Sequence, residues 1–113
     1  MRMQNQRRVY GETLVELGRE NKNIVVLDAD LSKSTMSCLF EQEFPERFFE
    51  MGIAEANMIS FAVGLSLTGK IAFANSFAVF STGRPFDQIR QGVAIGKMNV
   101  KIIGSSAGLS DFG

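Results

Sequence analysis

The sequence predicts an α/β domain, a parallel sheet with helices on both faces. Short, largely apolar runs recur at 24–27, 71–74 and 100–103, the first of them rich in β-branched residues, and segments of helical length separate them. Polar residues collect just after the runs and are sparse within them. Strands alternating with helices of this length build right-handed βαβ units around a parallel sheet.

In chain order, Tyr10, Leu14 and Leu17 fall at i, i+4, i+7 and predict an amphipathic helix over 8–20. Residues 24–27 read as a buried strand, and Asp28-Ala-Asp30 as the loop after it. A second helix is expected from Ser34 to Phe44, closed by Pro45. Residues 48–51 form a short strand. Residues 54–67 are almost uniformly apolar and predict a buried helix, with Met58, Phe61, Ala62 and Leu65 on one face and Ile59 and Val63 beside it. Residues 71–74 give a third strand and residues 84–96 a helix turning Phe86, Ile89, Val93 and Ala94 inward. Residues 100–103 give a fourth strand.

Ligands of such sheets bind beyond the carboxyl ends of the strands. The loops in question hold Asp28 and Asp30, then Gly52 to Glu55, then Asn75 to Phe80, then Ser105 to Gly113. The chain stops after that last loop, although a parallel strand needs a return helix to cover the sheet. The expectation is therefore an incomplete domain, truncated after Gly113.

Composition narrows the chemistry. The 113 residues, 45% of them hydrophobic, suit one domain with a packed core. Twelve basic residues balance twelve acidic ones, so no whole-chain field draws in nucleic acid or an anionic membrane, and neither is expected as a partner. The apolar run near 61–67 is too short for a bilayer span. Cys38 has no intrachain partner and no secretory signal is visible, which fits a cytoplasmic setting. No metal site is expected. With no histidine in the chain, proton chemistry falls to carboxylates, a cofactor or another chain.

Glu55 is the leading candidate. An acid in the first turn of a helix gains about 0.3–1 kcal/mol from the helix dipole, which is one explanation for it. Its apolar surroundings favour another, because desolvating an idle carboxylate is costly. A buried acid that binds a nitrogen base answers that cost. A different reading takes Asp28 and Asp30 after their strand as the nucleophile and acid–base of a haloacid-dehalogenase-type phosphatase, with Ile102-Ile-Gly-Ser-Ser106 imitating its later strand-end serine. That chemistry also needs a later lysine and an acidic pair, which do not follow. A non-catalytic assembly module on the same fold is a third reading.

The segment Glu50-Met-Gly-Ile-Ala-Glu-Ala-Asn-Met58 resembles the Gly-Ile-x-Glu-x-x-Met motif of transketolase pyrimidine-binding domains. The similarity extends through Asp28-Ala-Asp-Leu-Ser-Lys-Ser34, Pro45-Glu-Arg-Phe48, Ser76-Phe-Ala-Val-Phe80 and Arg84-Pro-Phe-Asp-Gln-Ile-Arg90. It covers nearly the whole chain in order, and resembles the second subunit of a split transketolase.

The resemblance implies a thiamine-diphosphate-binding pyrimidine domain that transfers a two-carbon ketol unit between sugar phosphates as part of a larger assembly. Glu55 would hydrogen-bond the aminopyrimidine and favour the imino tautomer that takes the thiazolium C2 proton. Phe77 and Phe80 would pack the pyrimidine ring, and Asp30 would lie near the thiazolium and a subunit contact. Arg7 and Ser34 would grip the sugar phosphate, for which an arginine fork is suited. One extra residue near Gly83 removes an evident third aromatic. The diphosphate and Mg²⁺ would be held by a partner domain or subunit, with a homo-oligomer expected, and this chain alone would be inactive. Deoxyxylulose-phosphate synthase and the beta subunit of 2-oxo-acid dehydrogenases share the Glu-containing helix; Arg7, Ser34 and the Phe-Asp-Gln-Ile-Arg run favour transketolase.

Overall fold

A computed structural model describes residues 4–108. Its elements are α1 (Gln6–Glu20), β1 (Ile24–Asp28), α2 (Ser32–Thr35), α3 (Cys38–Glu43), a 3₁₀ turn (Pro45–Arg47), β2 (Phe48–Glu50), α4 (Glu55–Leu67), β3 (Ile71–Phe77), α5 (Ala78–Gly83), α6 (Phe86–Gln88), a π-helical segment (Ile89–Ile95) and β4 (Val100–Ser105). The four strands form one parallel sheet in the order β2-β1-β3-β4.

The side-chain alternation of β1 and β3 divides the core in two. Val25, Leu27, Ala72 and Ala74 face Met58, Ile59 and Ala62 of α4. Ile24, Val26, Ile71 and Phe73 face Leu14 of α1 and Phe40 of α3. Helices cover both faces, as the sequence predicts. All five residues of β1 are buried, which is why it reads as a continuous apolar run. Arg47 closes the end of the sheet away from the loops. Its guanidinium donates to the carbonyls of Ile24, Gly18 and Asn21 at 2.9–3.0 Å and lies 4.3 Å from the Phe44 ring centre.

Several expectations need correction. The helix from Ser34 to Phe44 is two helices, α2 and α3, with Met36 left-handed between them at φ 68°. The cause is Asp28, whose Oδ2 accepts from both Thr35 Oγ1 and Ser37 Oγ. Residues two apart do not face one way on a helix, so satisfying one carboxylate oxygen with both hydroxyls breaks it. β3 continues past Ala74 to Phe77, because the Asn75 amide is satisfied inside the sheet by the carbonyls of Leu27 and Phe73.

On α1, Gly11 and Gly18 join Leu14 as the buried residues, and Leu17 is 38% exposed. A Cβ at Gly18 would lie 2.6 Å from Phe40, so close approach of α1 to α3 selects glycine there. Phe61 and Phe86 are exposed, and Ala94 is exposed as well. The predicted helix over 84–96 begins at Phe86 and turns π-helical at Ile89; Ile89 and Val93 pack against the α4 side of the core.

Candidate functional site

The carboxyl ends of the four strands bring together the loops after Asp28, Glu50 and Ser105 and the start of α5 after Phe77. α4 starts directly at Glu55, without a side-chain cap at Ala54. The Glu55 carboxylate is therefore the acid of the first turn, and only 3% of its side chain is exposed. Arg84 Nη1 donates to Glu55 Oε1 at 3.0 Å. The other carboxylate oxygen has no hydrogen-bond partner among the described residues.

Phe77, the last residue of β3, and Phe80 of α5 stack at 6.2 Å between centroids, with their planes 23° apart. The Arg84 guanidinium lies 4.2 Å from the Phe80 centroid, so it joins the buried acid to the aromatic pair. No third ring extends this stack among the described residues. Ser76, the residue before Phe77, has a buried hydroxyl with no hydrogen-bond partner among the described residues. The alternation that puts Ala72 and Ala74 toward α4 puts Ser76 there too.

On the α1 face, Arg7 Nη1 donates to the main-chain carbonyl of Ser34 at 3.1 Å. Arg7 also lines an open cleft of about 580 Å³ with Asn5, Tyr10, Ser105 and Ser106. Glu55, Phe77 and Phe80 do not line that cleft. Tyr10 connects the two regions by hydrogen-bonding the Asn75 carboxamide oxygen, two residues before Phe77.

Asp28 is fully buried beneath these loops. Its carboxylate accepts from Leu31 N–H at 2.6 Å, Thr35 Oγ1 at 2.7 Å and Ser37 Oγ at 2.8 Å. Burial raises its pKa, while these donors oppose the rise. Burial, and then the Asp28 charge, raise the pKa of Tyr10 as well. An acid enclosed in this way is an anchor for the Leu31–Ser37 segment around α2 and presents no oxygen to a substrate, which removes the phosphatase reading. Asp30 is exposed and left-handed at φ 65°, and its N–H donates to Glu50 Oε1.

The structure thus joins Glu55 to Phe80 and Phe77 through Arg84, and Arg7 to Ser34 through the Ser34 backbone. Sequence reasoning missed Arg84, although a buried acid demands a cation and Arg84 stood in the quoted Arg-Pro-Phe run. It also missed the contact between Tyr10 and Asn75, for which a polar amide directly after an apolar run was the signal. Of the expected loop over 105–113, residues 109–113 lie outside the described residues.

The pyrimidine-binding domain of transketolase matches residues 2–111. A putative transketolase C-terminal section from Methanocaldococcus jannaschii is 57% identical over 104 residues, covering 92% of this chain and 33% of that protein. Human transketolase is 44% identical over 105 residues, covering 92% of this chain and 16% of its own length. Among solved structures, a split-gene transketolase described as an inactive β4 tetramer superposes with a TM-score of 0.79 at 59% identity, over 87% of this chain and 32% of that one. The chain spans about a third or less of the length of these proteins.

Proposed function

Since the chain belongs to the transketolase family through its pyrimidine-binding domain, we propose that it supplies the aminopyrimidine half of a thiamine-diphosphate site for ketol transfer between sugar phosphates. The observation that carries this is Glu55, a carboxylate almost wholly buried at the start of an apolar helix and joined by Arg84 to a stacked pair of phenylalanines. That donor set fits an aminopyrimidine: an acid with one oxygen that has no hydrogen-bond partner among the described residues, beside aromatic surface for a flat heterocycle.

When bound, thiamine diphosphate supplies the carbon acid and electron sink on which ketol transfer depends. The chain's own residues do the rest of the work on this side of the site. Glu55 holds a proton at the pyrimidine ring nitrogen through Oε2, while Arg84 fixes Oε1 and the direction of the carboxylate. Phe77 and Phe80 offer apolar area to the ring. Asp30, exposed on the neighbouring loop, would in this reading lie near the thiazolium and the partner subunit. Arg7, oriented by the Ser34 carbonyl, presents its remaining guanidinium donors to the substrate phosphate in the cleft with Ser105 and Ser106.

The diphosphate and Mg²⁺ belong, in this reading, to a diphosphate-binding domain or subunit that completes the site. The likeness to a C-terminal section and to a split-gene β4 tetramer supports a divided enzyme with a homo-oligomeric component. The inactivity stated for that tetramer supports the expectation that this chain alone does not turn over. The adjacency of Arg7 and Ser34 favours phosphorylated sugars over the 2-oxo-acid alternative.

Mixing the purified chain with a diphosphate-domain subunit, thiamine diphosphate and Mg²⁺ tests the proposal. Ketol transfer is expected only in the complete mixture and only with Glu55 intact. Transfer by this chain alone, free of contaminating enzyme, would overturn the division of labour.

A further inference from the structure

Glu50, the last residue of β2, is paired in register with Asp28 and stands between the loop that bears Asp30 and the turn that leads into Glu55. Its Oε1 accepts the Asp30 N–H at 2.8 Å and the Gly52 N–H at 2.8 Å. Both donors have left-handed backbones, with φ 65° at Asp30 and φ 71° at Gly52. For a residue with a Cβ this conformation is uncommon and needs local support. One carboxylate oxygen therefore ties together two turns from different loops. The Met51 N–H to Asp28 carbonyl bond, at 2.9 Å, runs alongside.

We infer that Glu50 is a positioning residue: it sets the place of Asp30 relative to the Gly52–Ala54 turn from which Glu55 enters α4. The donors are main-chain groups, so the link does not depend on the identity of the neighbouring side chains. What it requires is reach. A carboxylate one methylene shorter cannot span from β2 to both N–H groups, whereas a glutamine carbonyl oxygen occupies the same place and accepts both. The consequence for ketol transfer rests on the function proposed above; the clamp itself does not.

The test compares Glu50→Asp, which keeps the charge and loses the reach, with Glu50→Gln, which keeps the reach and loses the charge. Amide hydrogen exchange on this chain is the first readout. In Glu50→Asp the Asp30 and Gly52 amides are expected to exchange about tenfold faster, as for loss of one ordinary hydrogen bond, with Val26 and Ala74 unchanged. In Glu50→Gln both amides stay near wild-type protection. The second readout is ketol transfer in the assembled enzyme. There Glu50→Asp is expected to lower kcat about 10- to 100-fold, with KM little altered and with rescue in Glu50→Gln, as for a misplaced reacting group.

Unchanged protection in Glu50→Asp, or loss in Glu50→Gln alone, would overturn the clamp. Exchange in the expected order with undiminished kcat in Glu50→Asp would overturn the positioning role. Exchange in the expected order, with no ketol transfer even in the wild-type assembly, would sink the transketolase reading and leave the clamp standing.

Discussion

Arg84 Nη1 meets Glu55 Oε1 at 3.0 Å, and it does so from a side chain that is half exposed while the acid is almost wholly buried. The pair sits at the boundary between the core under α4 and the open ends of the strands. Arg84 can therefore compensate a buried charge without being buried itself, and so avoids the larger desolvation penalty of a fully interior pair.

Arg84→Met should destabilise the chain by about 1–3 kcal/mol, below the figure for a fully buried pair because solvent screens the exposed partner. Glu55→Gln should cost less, since it removes the charge that needs the cation. The double variant should then be more stable than the sum of the single losses implies, with a coupling of about 0.5–3 kcal/mol. Denaturant melts of the four proteins measure it, and strict additivity would remove Arg84 as the partner of Glu55.

In the complete enzyme, Glu55→Gln should leave the fold intact and slow C2 proton exchange of bound cofactor by about 100-fold or more, the usual scale of a lost acid–base group. Glutamine keeps the shape but does not stabilise a proton on the pyrimidine nitrogen in the same way. Exchange at the wild-type rate would reduce Glu55 to a helix-end acid.

Arg7→Ala should weaken phosphorylated substrates by about 10- to 100-fold, corresponding to about 1.5–3 kcal/mol for a charge-assisted contact, and unphosphorylated sugars much less. Ser34→Ala should do less than Arg7→Ala, because Ser34 holds Arg7 through its main-chain carbonyl, which alanine keeps. Comparing KM for paired sugars decides both, and equal losses for both substrate types would take Arg7 out of the phosphate site.

Asp28 gives a pH signature. Burial raises its folded pKa above the ordinary carboxylate value, so the folded chain binds this proton more tightly than the unfolded one. The stability this group contributes is then greatest below the unfolded value, falls as pH rises through the interval up to the folded value, and stays low above it. Asp28→Asn removes that slope. The stability of the variant relative to wild type should therefore rise with pH from about 4 toward neutrality, whatever constant offset its altered hydrogen bonds add. Urea melts across that range measure it, and a flat difference would mean that Asp28 is not perturbed by burial.

Much of this was legible in the order of residues, for a physical reason. The apolar runs at β1, β3 and β4 and the polar loops after them are local patterns, strongest in β1, which is buried on both faces. They determined the fold class, the end of the sheet where ligands are expected to bind, and Glu55 as an acid out of place in an apolar helix. What the tertiary structure decided are the contacts between residues far apart in sequence. No local pattern says that Arg84 will return to Glu55 over Phe80, that Tyr10 will meet Asn75, or that Glu50 will join two left-handed turns. Nor does periodicity foresee that one buried carboxylate, Asp28, needs the hydroxyls of both Thr35 and Ser37 and so divides a helix in two. Periodicity records which side chains leave water, whereas the satisfaction of a buried charge depends on which donors the fold brings within hydrogen-bond reach.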